Sequence, residues 1–189
     1  MRLNKTSQKE KYENWCKGQP NVCVIGRGVT SNACKNLEAD IRLIFQPLTS
    51  VNAGTFATAK FKDITQALPA MGSTHLITFS EAEKGLNFRI GRFRDGPTLT
   101  FRVLTAATSK DVDAVRNVGH KLTKEFYTTS HPFLITSNFD FERDEEKIAH
   151  TVIQNMFPVF NIQDTDLKAF KRCVIFDVDK KTREIHLRH

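Results

Sequence analysis

Two stretches of this chain, one opening at Asn21 and the other at Pro132, run through the same order of elements: strand, helix, strand, helix, hairpin. The segments NVCVIGRG, AKFKDI, THLITFS and LNFRIGRF in the first half correspond in turn to PFLITSNF, TDLKAF, RCVIFDV and EIHLRH in the second. A unit that recurs in this way restricts the chain to paired copies that bury their apolar faces together, and such pairs commonly pack about a pseudo-twofold axis. The fold class this predicts is α/β: two pseudo-repeated half-domains, each a mixed sheet flanked by helices. The first half covers about residues 21–95, a linking strand and helix about 96–130, and the second half about 131–189. Residues 1–20, polar and lysine-rich with a lone Trp15, read as a flexible basic arm.

Within this frame the clearest helix starts after Thr30 or Ser31 and ends at Pro47, with Leu37, Ile41, Ile44, Phe45 and Leu48 on one face. Short strands are expected at Thr55 to Thr58 and Val159 to Ile162, and short helices at Lys60 to Leu68 and Asp166 to Phe170. A longer helix is expected from Lys110 to about Phe126, turning Val112, Val115, Val118, Leu122 and Phe126 inward. Another, from Arg143 to Met156, turns Ile148, Ala149, Val152 and Met156 inward. The hairpin of the first half carries a further signal. In LNFRIGRF, Leu86, Phe88 and Ile90 alternate with Asn87 and Arg89; after Asp95-Gly96-Pro97, Leu99, Phe101 and Val103 alternate with Thr98, Thr100 and Arg102. One side of the hairpin is therefore apolar and the other basic. Arg89, Arg92, Arg94 and Arg102 are more positive charge than solubility requires, since Thr or Glu would serve equally well, and the pattern points to an anionic ligand.

The whole chain shares that bias: 28 Lys and Arg against 21 Asp and Glu give a net charge of +7. Such a balance favours polyanions without separating nucleic acid from acidic protein or a membrane surface. Fifteen Phe against two Tyr and one Trp is an aromatic set suited to an interior more than to stacking on bases. Cys16, Cys23, Cys34 and Cys173 lie in no metal-ligand spacing; Cys23 and Cys173 read as small buried hydrophobes. Together with the absence of a long apolar run or an h-region, this fits a soluble intracellular protein. Gly26-Arg27-Gly28 lacks the third glycine of a dinucleotide loop and reads as a tight turn before a helix. No P-loop, nucleophile elbow or H-E-x-x-H is present. His75 and His150 read as structural residues, and the acidic run from Asp140 to Glu146 as helix-start carboxylates. No catalytic residue, metal or cofactor is expected.

GPTLTFRV after a basic hairpin, with HPFLITSNF, NMFPVFNIQ and LKAFKRCVIFDVDKKTREIHLRH in that order, resembles the Brix-domain family of ribosome-assembly factors, in its Peter Pan (suppressor-of-sterile) branch. The resemblance spans about Asn21 to His189. It implies half-domains like the anticodon-binding domain of class II tRNA synthetases. It also implies a non-catalytic, nucleolar or nuclear factor that binds precursor rRNA in the large-subunit pre-ribosomal particle, beside a small helical protein partner and away from membranes. Relatives often continue into long basic tails where this chain stops at His189. The family's RNA-contacting segment corresponds to Gly96 to Val103.

On this reading Arg27, Lys60, Lys62, Arg89, Arg92, Arg94, Arg102, Lys171 and Arg172 contact phosphates, while Thr98 and Thr100 hydrogen-bond sugar or phosphate. Shape and backbone, not base sequence, are recognised. The alternative reading is a protein-interaction scaffold within a pre-ribosomal particle, with RNA contact secondary. A tRNA-type anticodon-binding module or a nuclease would need appended domains.

Overall fold

The computed structural model describes residues 14–28, 30–49, 59–83, 85–116, 123–160 and 170–189. Two sheets organise them. Strands β1 (Val22–Arg27), β2 (His75–Ala82), β3 (Gly85–Arg92) and β4 (Thr98–Arg102) lie in the order β1-β2-β3-β4. Strands β5 (Phe133–Ser137), β6 (Cys173–Val178) and β7 (Ile185–Arg188) lie in the order β5-β6-β7. In both sheets the first strand is parallel to the second and the second antiparallel to the third. β4 extends the first sheet only.

The repeat is therefore present in the strand pairing, but one residue out of step with the segment correspondence above. That correspondence sets Val22 against Phe133 and Ile77 against Ile175. The residues that face the shared core are Val22 and Ile77 in one half and Leu134, Val174 and Phe176 in the other. Side chains alternate along a strand, so a slip of one residue exchanges the two faces of a sheet, and burial decides which register holds.

Helices fill the space between and outside the sheets. α1 (Asn32–Ile44) starts at Ser31, whose side chain accepts a hydrogen bond from the Cys34 N–H at 3.2 Å. It packs Cys34, Ile41 and Ile44 into the core shared with β1 to β3. Gly26 leaves room for the Glu38 carboxylate, since a Cβ there would sit 2.6 Å from Glu38 Oε2. Glu38 pairs with Arg42, which donates to the Val24 carbonyl at 2.8 Å. α2 (Phe61–Ala70) runs through Pro69 and covers the opposite face of the first sheet, where Ile64 and Leu68 meet Cys23, Ile25 and Leu76. α5 (Asp144–Asn155) brings Ala149, Val152 and Ile153 inward. Its Glu146 is buried, accepting from the Asp140 N–H at 2.9 Å and pairing with Arg183. The Arg183 guanidinium and the Asp140 N–H hold that carboxyl below the usual carboxylate range.

Several sequence expectations are corrected. The single helix from Lys110 to Phe126 is instead α3 (Ser109–Val115), which ends where Arg116 turns extended, and α4 (Lys124–Thr129). Val112 and Val115 are exposed, because α3 is held by polar contacts: the Ser109 N–H and hydroxyl donate to Asp40, and Lys110 donates to Asn36. Ile148 faces solvent on α5 while its neighbour Ile153 takes the core position. Val159 and Phe160 are not in a strand, and Val159 is 90% exposed. Cys173, on the outer face of β6, is exposed, whereas Cys34 is buried like Cys23; burial pushes both buried thiols up to about 11. Of the expected basic arm, residues 1–13 lie outside the described residues, and the Trp15 ring is 4.6 Å from that of His131. The expected strand at Thr55 to Thr58, the expected helix at Asp166 to Phe170 except for its last residue, and Val118 and Leu122 lie outside the described residues.

One continuous core joins the halves: Phe45 of the first meets Phe157 of the second at 5.0 Å between ring centroids, within a cluster that includes Val152, Met156 and Val174. A single cation reinforces this seam. Arg172, 5% exposed, donates to the carbonyls of Leu43, Ile44 and Gln46 at the end of α1, and to those of Tyr127 and Ser130. These carbonyls include helix-end groups that lack intrahelical donors, and a guanidinium answers several of them at once in the negative end of the helix dipole. Its carbon also stands 5.2 Å from the Tyr127 ring centre. Arg172→Met is expected to lower unfolding free energy by about 3–5 kcal/mol, because it strands buried acceptors, and Arg172→Lys to recover only part of that. Denaturant midpoints of the three proteins check this.

Candidate nucleic-acid interface

The strand register arranges the outer face of the first sheet into rows. Arg27, Ser80, Asn87 and Arg102 lie side by side across β1 to β4. Ile25, Thr78, Arg89 and Thr100 form the next row, and Cys23, Leu76, Gly91 and Thr98 the third. Along each row the character changes from the β1 side to the β4 side. α2 covers Cys23, Ile25 and Leu76, while Arg89, Thr98, Thr100 and Arg102 are exposed. None of the three rows contains a carboxylate. Arg89 Nε donates to Thr100 Oγ1 at 3.2 Å, which holds the guanidinium across the β3–β4 pair and leaves its other N–H groups outward. Ser80 and Asn87 were not singled out from sequence as site residues; their membership in the Arg27–Arg102 row follows from the alternation once the register is fixed.

Arg92 and Arg94 belong to a different part of the surface. Arg92 shares the parity of Ile90 and pairs with His75, so it is exposed only because β3 ends there. Its stem lies against Gly96, where an added Cβ would come within 2.5 Å of Arg92 Cβ. The chain then turns through two successive left-handed residues, Arg94 at φ 60° and Asp95 at φ 63°. This backbone suits the twist of a tight hairpin and favours Gly or Asn, so an arginine at its tip is held there at a cost.

Arg27 connects the sheet to the start of α2. It donates to the Ala59 carbonyl at 3.1 Å and lies 5.7 Å from the centre of the Phe61 ring. Lys60 and Lys62, both exposed, thereby sit at the helix end that Arg27 anchors. Lys171 and Arg172 are not brought to this face. Lys171 is exposed just before β6 in the second sheet, and the Arg172 guanidinium is enclosed at the seam between the halves. An adjacent Lys-Arg pair reads as surface charge, and only the carbonyls of residues 43–46, distant in sequence, distinguish the two. Among the described residues no group of three or more His, Cys, Asp and Glu is placed to hold a metal, and no helix is long and apolar enough to cross a membrane.

Two histidines near these arginines are kept neutral. Burial, helped by the Arg92 charge, lowers His75 from 6.5 to about 4, and burial with the Arg172 charge lowers His131 to about 4. His75 Nδ1 lies 2.9 Å from Thr74 Oγ1.

Comparison with known proteins bears on this arrangement. Residues 27–189 match the Brix domain family. The chain belongs to that family. It is 30% identical to ribosome biogenesis protein SSF1 of Saccharomyces cerevisiae, across 91% of this chain and 41% of that protein. It is 28% identical to the protein Peter pan of Drosophila melanogaster, across 90% of this chain and 36% of that one. It is also 29% identical to the human suppressor of SWI4 1 homolog, over 90% and 36% of the two chains. The chain thus spans less than half the length of these relatives. Its architecture is similar to that of a probable ribosomal biogenesis protein from Aeropyrum pernix K1, with a TM-score of 0.53 and 10% identity over 90% of this chain and 89% of that one. The expected α/β architecture of two mixed sheets flanked by helices is the one observed.

Two outcomes are expected of this surface. Between pH 6.5 and about 4 the unfolded chain binds protons that folded His75 and His131 refuse. Stability should therefore be flat above pH 6.5 and fall as pH drops through that window, by on the order of 1–2 kcal/mol per histidine at pH 5, as urea titrations at pH 7 and 5 would register. Replacement of His75 by Gln should flatten its share of the slope. Arg94→Gly should raise unfolding free energy by about 0.5–1 kcal/mol, since glycine adopts the left-handed backbone without strain; thermal melts check the direction.

Proposed function

We propose that this chain is a non-catalytic ribosome assembly factor that holds precursor rRNA of the large subunit against the outer face of its first sheet. The observation that carries the reading is the set of three rows free of carboxylate, with Arg89, Arg102, Thr98 and Thr100 exposed on their β4 side. Guanidinium groups at strand spacing match successive phosphates of a folded RNA, and the threonine hydroxyls reach sugar or phosphate oxygens. The flat, aromatic-poor face offers charge and shape without a pocket for an individual base. Arg92 and Arg94 extend the positive field past the hairpin end, and Arg27, Lys60 and Lys62 extend it toward α2.

Membership of the Brix family supports the setting, as do relatives named for ribosome biogenesis. The same relationship supports a nuclear or nucleolar location, the large-subunit precursor particle and a small helical protein partner as parts of this proposal. Lys171 and Arg172 are left out of the contact set, the second because its donors are already engaged.

With about six phosphates neutralised, log K should fall with log salt at a slope of about 4 for single-stranded RNA and about 5 for a helix. Changing Arg89, Arg92 and Arg102 together to Glu should weaken binding of a large-subunit rRNA fragment by at least about tenfold at moderate salt, with the melting temperature unchanged. Equal affinity of the triple variant, measured by filter binding across a salt series, would refute this use of the face.

A further inference from the structure

Among the described residues the two sheets are equivalent through their first three strands, yet the first has a fourth and the second does not. In the first sheet Phe93 N–H bonds to Thr74 on the β2 side, while Val103 N–H donates to the Leu86 carbonyl and Arg92 N–H to that of Pro97 on the β4 side. Antiparallel pairing alternates along a strand, so Leu86, Phe88, Ile90 and Arg92 direct their backbone groups to β4. In the second sheet Asp179 N–H bonds to the Glu184 carbonyl, so Glu184, His186 and Arg188 direct theirs to β6. Ile185 and Leu187 therefore turn their N–H and C=O groups to the far edge of β7. Both side chains are half-buried against the shared core, and among the described residues no hydrogen bond is made to those backbone groups. They occupy the places that Phe88 and Ile90 hold in β3, where Leu99 and Phe101 of β4 lie opposite.

We infer that the free edge of β7 is a slot for an extended segment of a protein partner, which pairs antiparallel with β7 as β4 pairs with β3. The occupant's chemistry is read from β4 and from the side chains of β7. Opposite Leu187 and Ile185 it places two apolar residues spaced as Leu99 and Phe101 are, which continue the core. Between them, opposite His186, it places a hydroxyl, as Thr100 stands opposite Arg89. Beyond, at the position of Thr98, it places a carboxylate, because its neighbour is the exposed Arg188 where the first sheet has Gly91. An edge with open donors and acceptors and apolar residues at its back is an established route to strand addition. This inference does not rest on RNA binding, since β7 is in the other sheet.

The test uses a synthetic peptide of Gly96 to Val103 carrying Thr98→Glu, and a control in which its Leu99 and Phe101 are also serine. Amide hydrogen exchange is followed by NMR on the whole chain. In the free protein Ile185 and Leu187 amides should exchange fast beside slow His186 and Arg188. With saturating peptide they should slow by at least about tenfold, and the control peptide should leave them unchanged. Arg188→Glu, at an exposed position, should weaken the peptide by about fivefold or more while keeping the free-state pattern. The inference fails if those two amides are already protected without peptide, if protection rises with protein concentration alone, as pairing of two copies would give, or if peptide and control act alike. The Arg89, Arg92 and Arg102 triple variant should bind the peptide normally, which separates a failure here from a failure of RNA binding.

Discussion

Arg172, just before β6, lies against the end of α1 and the residues before β5, and its guanidinium is the shared donor for carbonyls from both. A buried cation is costly unless several acceptors replace its water, and here helix-end and loop carbonyls do so. The Leu43 carbonyl also accepts from the Gln46 N–H, whereas the Ile44 and Gln46 carbonyls take the guanidinium as donor. A cation of the second half thus answers carbonyls at the end of the first half's α1. The aromatic contact of Phe45 with Phe157 and the stacked rings of Trp15, His131 and Phe160 close the apolar space around it.

The position of the basic face depends on this seam. With the inner side of the first sheet committed to the shared core, and α2 lying over the β1 side of the outer face, the exposed residues of that face's three rows, among the described residues, are on its β3–β4 side. That is where Arg89, Arg102 and the two threonines stand. Glu81, the nearest carboxylate along β2, accepts hydrogen bonds from the Ser31 N–H and hydroxyl at the start of α1 and so does not neutralise the rows. Two other acids of this half are likewise engaged in local structure: Glu38 pairs with Arg42, and Asp40 holds α3.

Much of this was legible in the sequence where one rule dominates. Alternation from Leu86 to Ile90 and from Thr98 to Val103 separates the polar from the inward-facing residues of the hairpin, and the spacing of Ile41 and Ile44 sets the face of α1. The rest required knowledge of what is nearby in space. Arg172 looks like Lys171 until the end of α1 is placed against it. Val112 and Val115 have helical spacing, but α3 is tethered through Ser109 and Lys110, so the apolar stripe faces water. Arg92 continues a run of arginines by eye, yet strand parity gives it to the inner side. The internal repeat was visible as an order of elements, while its register, which differs by one residue, was decided by burial of Leu134 and Val174.

On the proposed reading, RNA lies on the outer face of the first sheet. Ultraviolet crosslinking of the chain to a large-subunit precursor rRNA fragment, followed by mass spectrometry of the RNA-bearing peptides, addresses it most directly. Crosslinks within the segment from Asn87 to Arg102 are the expected result. Crosslinks confined to β5, β6 and β7, with none on β3 or β4, would contradict it.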